Sequence, residues 1–220
     1  MHKKIKSTHR YALLLILCLG IAPLFISLAI ALYPHSYSAP KQFLSALGYT
    51  ALKDGSSNMI SCLLFNFALI LFGATIGSYF CIRAYYSNRK ILKYMLMLSG
   101  IISGIGLIGI GLFPYNLAPN IHYSFTIISC VGVGLAVFFC PGSGEKIHFK
   151  LSEDLLWLCF GIFIITIWFA LESLRGNMLP TTPTAQIQQK LIIGYFGIYM
   201  FWNAIILIIR THASHNSKSE

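Results

Sequence analysis

Five polar residues stand where chemistry could be done at one end of otherwise apolar segments: Ser45, Asn66, His122, Glu172 and Arg175. An imidazole and a carboxylate are common groups for general acid–base catalysis, so His122 and Glu172 are the candidates for moving a proton. Arg175 follows Glu172 at an i, i+3 spacing, so the two share a face if helicity continues. They could form a local ion pair of small net worth. Alternatively, the guanidinium could hold a phosphate, for which its planar fork of donors is suited. Ser45 and Asn66 would add neutral hydrogen bonds. The set therefore admits a lipid-headgroup binding site, an acid–base centre acting on such a headgroup, or simply polar side chains at a wet interface.

The elements that must position these residues are membrane helices. Apolar runs extend over about 11–33, 59–82, 91–113, 123–139, 155–171 and 191–209. Crossing the hydrocarbon layer takes about 20 mostly apolar residues. Helices satisfy their own backbone polar groups, as lipid requires. Of 220 residues, 56% are hydrophobic and only 10% charged, against about 25% charged in soluble domains. No loop is long enough for a second domain. The expected fold is all-α: one integral membrane bundle of six transmembrane helices spanning residues 1–220.

The net charge of +10 would suggest a nucleic-acid partner in a soluble chain, but its distribution gives a different reading. Only Lys41, Lys53, Arg175 and Lys190 fall at one set of segment ends; the other twelve of the sixteen Lys and Arg fall at the opposite set. Such bias marks the cytoplasmic side. Both termini are expected in the cytoplasm, with a bacterial inner (plasma) membrane as the location. The partners expected are membrane lipids, attracted to the basic side, and no nucleic acid. Oligomeric state stays open. The first apolar run is too long for a signal-peptide core, which spans about 7–15 residues.

The loops carry turn chemistry. Pro114 should stop the third helix, because the residue before a proline disfavours helical geometry. Pro119 suits the first turn of the fourth. His122 is then expected in that turn, pointing inward toward the second and fifth helices, where it could join Asn66 and Glu172 in one network. The stretch Gln42–Leu52 is mildly amphipathic and could lie as a short interfacial helix. Pro23 is expected to interrupt the first helix. The C-terminal tail reads as disordered.

Other patterns are structural. Gly104-Ile-Gly106-Leu-Ile-Gly109 spells GxGxxG but lies within a membrane segment, without the strand, helix start and acid that dinucleotide binding needs. Together with Gly100, Gly111 and the pair Gly73 and Gly77, it reads as a surface for close helix approach. Asn66 and Asn203 lie at lipid depth and could bond across helices. The six cysteines lie in or at the ends of apolar segments and read as packing. No metal site is expected, since zinc wants three or four suitably spaced ligands. No cofactor motif or hydrolase signature is present, and the apolar segments show no pair of matching breaks of the kind that marks transporters.

Several of these features together resemble a known family: Leu44-Ser45-Ala46-Leu47-Gly48, Phe65-Asn66, Gly109-Ile-Gly111-Leu-Phe113-Pro114, and His122 opening the fourth helix. This looks like the six-helix membrane family catalogued as domain of unknown function 998. That family is similar in layout to the damage-regulated autophagy modulator group and to the membrane part of proteins acting in GPI-anchor remodelling. The resemblance covers about residues 10–210 and implies six helices with both termini inside. It implies no established activity. Related loops often carry an aspartate after the serine, where this chain has Ala46.

Overall fold

A computed structural model describes residues 2–140, 157–159, 161 and 184–216. Over these residues the chain is helical, without a β-strand. The helices are α1 (His2–Ala31), α2 (Met59–Tyr86), α3 (Lys90–Leu112), α4 (Pro119–Phe139) and α5 (Thr184–Asn216). Among the described residues, four helices are long and apolar enough to cross a membrane: Leu13–Ala31 of α1, and α2, α3 and α4 in full. Many of their large apolar side chains, such as Leu17, Leu63, Leu98 and Phe138, are exposed, a surface that water would not tolerate and lipid would.

The helices pack mainly in the order α4–α3–α2–α1–α5. Two small-residue seams set the spacing. A Cβ at Gly73 would lie 2.8 Å from the Gly104 carbonyl oxygen, so α2 and α3 meet backbone to backbone. On the other face of α3, Cβ atoms at Gly106 and at Gly132 would each fall 2.5 Å from a backbone nitrogen, of Ser129 and Ser103 respectively. The glycine pattern thus serves helix approach, as its place in a membrane segment implies. Larger side chains fill the rest: Leu15, Leu19, Ile76, Phe80, Leu96, Val137 and Met200 form one apolar core. Arg83 is buried beside it and donates to the hydroxyls of Tyr79 and Tyr199.

The helix ends follow the sequence signals closely in places. α3 closes at Leu112 with Phe113 as its cap, and Pro119 opens α4, so the expected tight turn forms. Elsewhere the structure differs. Pro23 lies inside a continuous α1; a single proline is tolerated in a membrane helix because neighbouring groups re-satisfy the freed carbonyl. α5 begins at Thr184, within the expected loop, and runs to Asn216 through the tail expected to be disordered. The side chains of Asn66 and Asn203 donate within their own helices, to Cys62 Sγ and to the Tyr199 carbonyl. Among the described residues, neither forms the cross-helix bond that its depth suggested. The expected helix at 155–171 lies almost wholly outside the described residues.

The stretch expected as an interfacial helix is instead a 3-10 turn, Leu44–Gly48, tucked against the start of α2. The reason is polar as well as apolar. Leu44 and Leu47 pack with Ala29, Phe65 and Leu69. The turn's carbonyls are met by donors at the start of α2: Asn58 Nδ2 reaches Leu47 O at 3.1 Å and Tyr49 O at 2.8 Å, Ser61 Oγ reaches Leu47 O at 3.1 Å, and Cys62 Sγ reaches Gly48 O at 3.1 Å. A turn that surrenders its carbonyls to a helix start lies across the bundle end, not at the lipid surface.

Candidate functional site

The site is built at the bundle end where α2 and α4 begin. Three side chains from the first turns of α5 hold residues 41–44 in place. Gln186 Nε2 donates to Lys41 O at 3.0 Å, Lys190 Nζ to Gln42 O at 2.6 Å, and Leu44 N donates to Gln189 Oε1 at 2.7 Å. The spacing i, i+3, i+4 puts all three on one helical face. Partial burial pushes the Lys190 ammonium down from its ordinary value. Tyr37, whose hydroxyl donates to Gln42 O, is pushed up to about 12 by burial. The segment is therefore a fixed strap. A second tie joins the loop to the α3–α4 turn, where Asn116 accepts from Thr50 N and donates to Thr50 Oγ1.

Beneath the strap lies an apolar cavity of about 150 Å³. Its walls come from α2 (Phe65, Leu69, Phe72, Ile76), α3 (Leu107, Ile110), α4 (His122, Thr126, Val133) and α5 (Gln189, Ile193, Phe196), with Leu44 and Ser45 of the strap above. Of the polar lining residues, Ser45, Gln189 and His122 lie nearest the strap, and Thr126 and Ser129 follow along α4. Phe72, Ile76, Val133 and Phe196 line the depth. From Phe65 to Ile76 the wall runs eleven residues, or roughly 16 Å at 1.5 Å per residue.

His122 is nine-tenths buried, as its inward expectation required, and its Nδ1 lies 2.8 Å from Phe113 O. A carbonyl only accepts, so Nδ1 carries the hydrogen, and in a neutral ring Nε2 is the acceptor. The bond also joins the end of α3 to the first turn of α4. Tyr115 packs edge-on to the ring with centroids 5.6 Å apart.

The five residues singled out from the sequence are thus divided. Ser45 and His122 line one cavity. Asn66 does not: it packs on the turn, its Oδ1 2.6 Å from where a Cβ on Gly48 would stand, and it binds Cys62. Its bond to its own helix takes it out of the expected network with His122. Glu172 and Arg175 lie outside the described residues. Sequence reasoning missed Gln186, Gln189, Lys190 and Asn58. The i, i+3, i+4 spacing of the first three is a helical signal, but it sits before the last apolar run, where the prolines at 180 and 183 suggest a loop.

Among the described residues, no three His, Cys, Asp or Glu side chains come together as a metal site. All six cysteines are free. No family model, curated protein or solved structure matches the chain.

Proposed function

We propose that the chain is a six-helix transmembrane protein that binds a membrane lipid, with part of one acyl chain in the apolar cavity and the polar portion toward Ser45, Gln189 and His122. The arrangement of the cavity carries this reading. Its lining is mostly apolar, with the amide and imidazole at the strap end and only the hydroxyl residues Thr126 and Ser129 further in, and its wall of roughly 16 Å is about half of a hydrocarbon core of about 30 Å. That is the depth of one leaflet. The residues that meet the lipid's polar part sit at the end poorer in Lys and Arg, which the positive-inside rule assigns to the outer face. Both termini then lie in the cytoplasm, and the bacterial inner membrane suits the design. Glu172 and Arg175 belong to the same end in this topology and would meet the headgroup. The layout of the family that the chain resembles supports the count of six.

Native mass spectrometry of the purified protein tests the binding. The wild type should retain lipid specifically, and Thr126→Phe, which adds a ring to the cavity wall, should lose it. No specifically retained lipid in the wild type would end the proposal. A reporter fused after Glu220 tests the topology and should fold in the cytoplasm.

A second reading rests on His122. A tautomer fixed by the Phe113 carbonyl is what a general base needs, with Nε2 as the acceptor. In that reading the protein is an enzyme acting on a lipid or glycolipid headgroup, with Glu172 as the partner acid or base. Lipid profiling of a deletion strain separates the two: an unchanged lipidome counts against the enzyme and leaves the binder.

A further inference from the structure

The charge of the cavity beneath the strap narrows what it can hold. Among the described residues that line it, none is Lys, Arg, Asp or Glu. Its polar groups are the imidazole of His122, the amide of Gln189, the hydroxyls of Ser45, Thr126 and Ser129, and the thiol of Cys130. Lys190, beside Gln189 in the chain, sends its Nζ to the carbonyls of Gln42 and Gln186 and is not on the wall. Glu172 and Arg175, which the lipid-binding reading brings to this end, carry opposite charges and add none net. An ionised group stranded inside protein without a counter-charge costs far more than a neutral one. The part of a ligand that enters is therefore uncharged.

Two atoms at the strap end define its polar group. His122 is only 7% exposed. Its Nδ1 is committed to Phe113 O. Its Nε2 has no hydrogen-bond partner, yet it keeps accessible surface, unlike the sealed and unpaired Ser103 Oγ. In the tautomer fixed by Phe113 this nitrogen is an acceptor. Gln189 is the converse case. Its Oε1 takes Leu44 N at 2.7 Å, which fixes the amide. Its Nε2 is then a donor without a partner, and it too keeps accessible surface. Buried polar side-chain atoms nearly always find partners. What satisfies both is an uncharged group that donates and accepts. An alcohol does so. An ester only accepts, and a carboxylate only accepts and brings a charge.

We propose that the cavity selects an uncharged lipid with a free hydroxyl. Hydroxyl oxygen donates to His122 Nε2 and accepts from Gln189 Nε2, and the chain runs down toward Phe72, Ile76 and Phe196. This inference rests on the lipid-binding reading and names its ligand class. The chemistry has two sources, the glycerol of an acylglycerol and the terminal hydroxyl of a long-chain alcohol.

Scintillation proximity binding to the full-length protein in neutral detergent tests it. The probes are tritiated monolaurin, dodecanol, methyl laurate, laurate and dodecyl phosphate, which share one chain length. The assay runs at about pH 8, where a carboxylic acid is ionised. Monolaurin or dodecanol should bind saturably. Methyl laurate, which cannot donate, should bind about fivefold more weakly, the loss expected for one hydrogen bond. Laurate and dodecyl phosphate should be weaker by at least about tenfold, since each brings a charge. Equal binding of dodecanol and monolaurin assigns the site to the hydroxyl alone; binding of monolaurin alone assigns it to glycerol. His122→Asn keeps an amide donor for Phe113 O and removes Nε2, so monolaurin should fall to the level of methyl laurate. If that variant melts early, the wild-type ranking against methyl laurate decides. Methyl laurate binding as tightly as both alcohols, either anion binding as tightly as both alcohols, or an unaltered ranking in folded His122→Asn would each overturn this proposal and leave a lipid binder. No saturable binding of any probe would end the lipid-binding reading together with it.

Discussion

Adding one methyl group to Gly106 should cost about 2 kcal/mol net, from the steric terms below. A Cβ there would lie 2.5 Å from Ser129 N, 2.6 Å from its Cα and 2.8 Å from its Cβ. Non-bonded carbons rest about 3.5–4.0 Å apart, so α3 and α4 must part by roughly 1 Å at this point. No rotamer change relieves this, because the first two atoms belong to the backbone. The displacement also opens the companion contact, Gly132 against Ser103, three residues, or just under one turn, along the same seam. Overpacking a tight interior costs about 1–3 kcal/mol, and a backbone obstacle argues for the upper end. Alanine's advantage over glycine in a helix, about 0.5–1 kcal/mol, offsets part of it. Gly134 on α4 is the control: it is exposed, with nothing within 4 Å of an added Cβ, so Gly134→Ala should gain that same small amount. The two variants should differ by roughly 3 kcal/mol, about a hundredfold in the unfolding equilibrium. Titrating SDS into mixed micelles and following tryptophan fluorescence measures this. Coincident transitions for Gly106→Ala and Gly134→Ala would refute the reasoning that this seam is set by backbone contact.

Asn58→Ala should destabilise the protein by about 1–3 kcal/mol, since at a site 1% exposed it strips the side-chain donor from Tyr49 O, while Leu47 O keeps Ser61 Oγ, and a buried orphan costs about 1–3 kcal/mol; the same SDS titration reads it. Asp54 should give the loop at 52–57 an acid-side dependence. Hydrogen bonds from Ser56, then from His35, hold its carboxyl well below the usual carboxylate range, so its contribution is complete above the ordinary value of about 3.9 and is lost as pH falls through the lowered folded value. Protection of the Ser56 amide, corrected for intrinsic exchange, should therefore be constant from neutral pH down to about pH 4 and fall below it; in Asp54→Asn it should be low and pH-independent. A flat wild-type profile would show that the carboxylate does not hold this turn.

Hydropathy made the helices legible because lipid imposes length and apolarity on any crossing segment. The expected spans at 59–82 and 91–113 differ from α2 and α3 by only a few residues at their ends. Pro114 and Pro119 made the α3–α4 turn legible for a local steric reason, and His122 went inward with it. The glycines were legible as a packing surface, though not which face of α3 each served. The strap was not legible. Its bonds join residues 145 or more apart, from Leu44 to Gln189 and from Gln42 to Lys190, and no local pattern encodes such a partner. Asn66 and Asn203 misled because depth in a membrane says that an amide must be satisfied, not by whom; sulfur and a carbonyl one turn back were nearer than another helix. Ser45 and His122 share a cavity only because the 3-10 turn folds in, and the turn folds in because Asn58, Ser61 and Cys62 receive its carbonyls.

The strap also has a history within each molecule's synthesis. Leu44 leaves the ribosome 145 residues before Gln189. At about 5–20 residues per second, translation separates the two by about 7–30 s. Through that interval α1, α2, α3 and α4 can insert and pack, but residues 41–44 lack the three bonds that α5 supplies. Closure waits for the last helix. A truncated product ending before Thr184 would therefore keep its segments in the bilayer while presenting an unlatched loop to quality-control proteases. Cleavage near residues 41–44 would then report, chain by chain, whether the C-terminal helix has arrived.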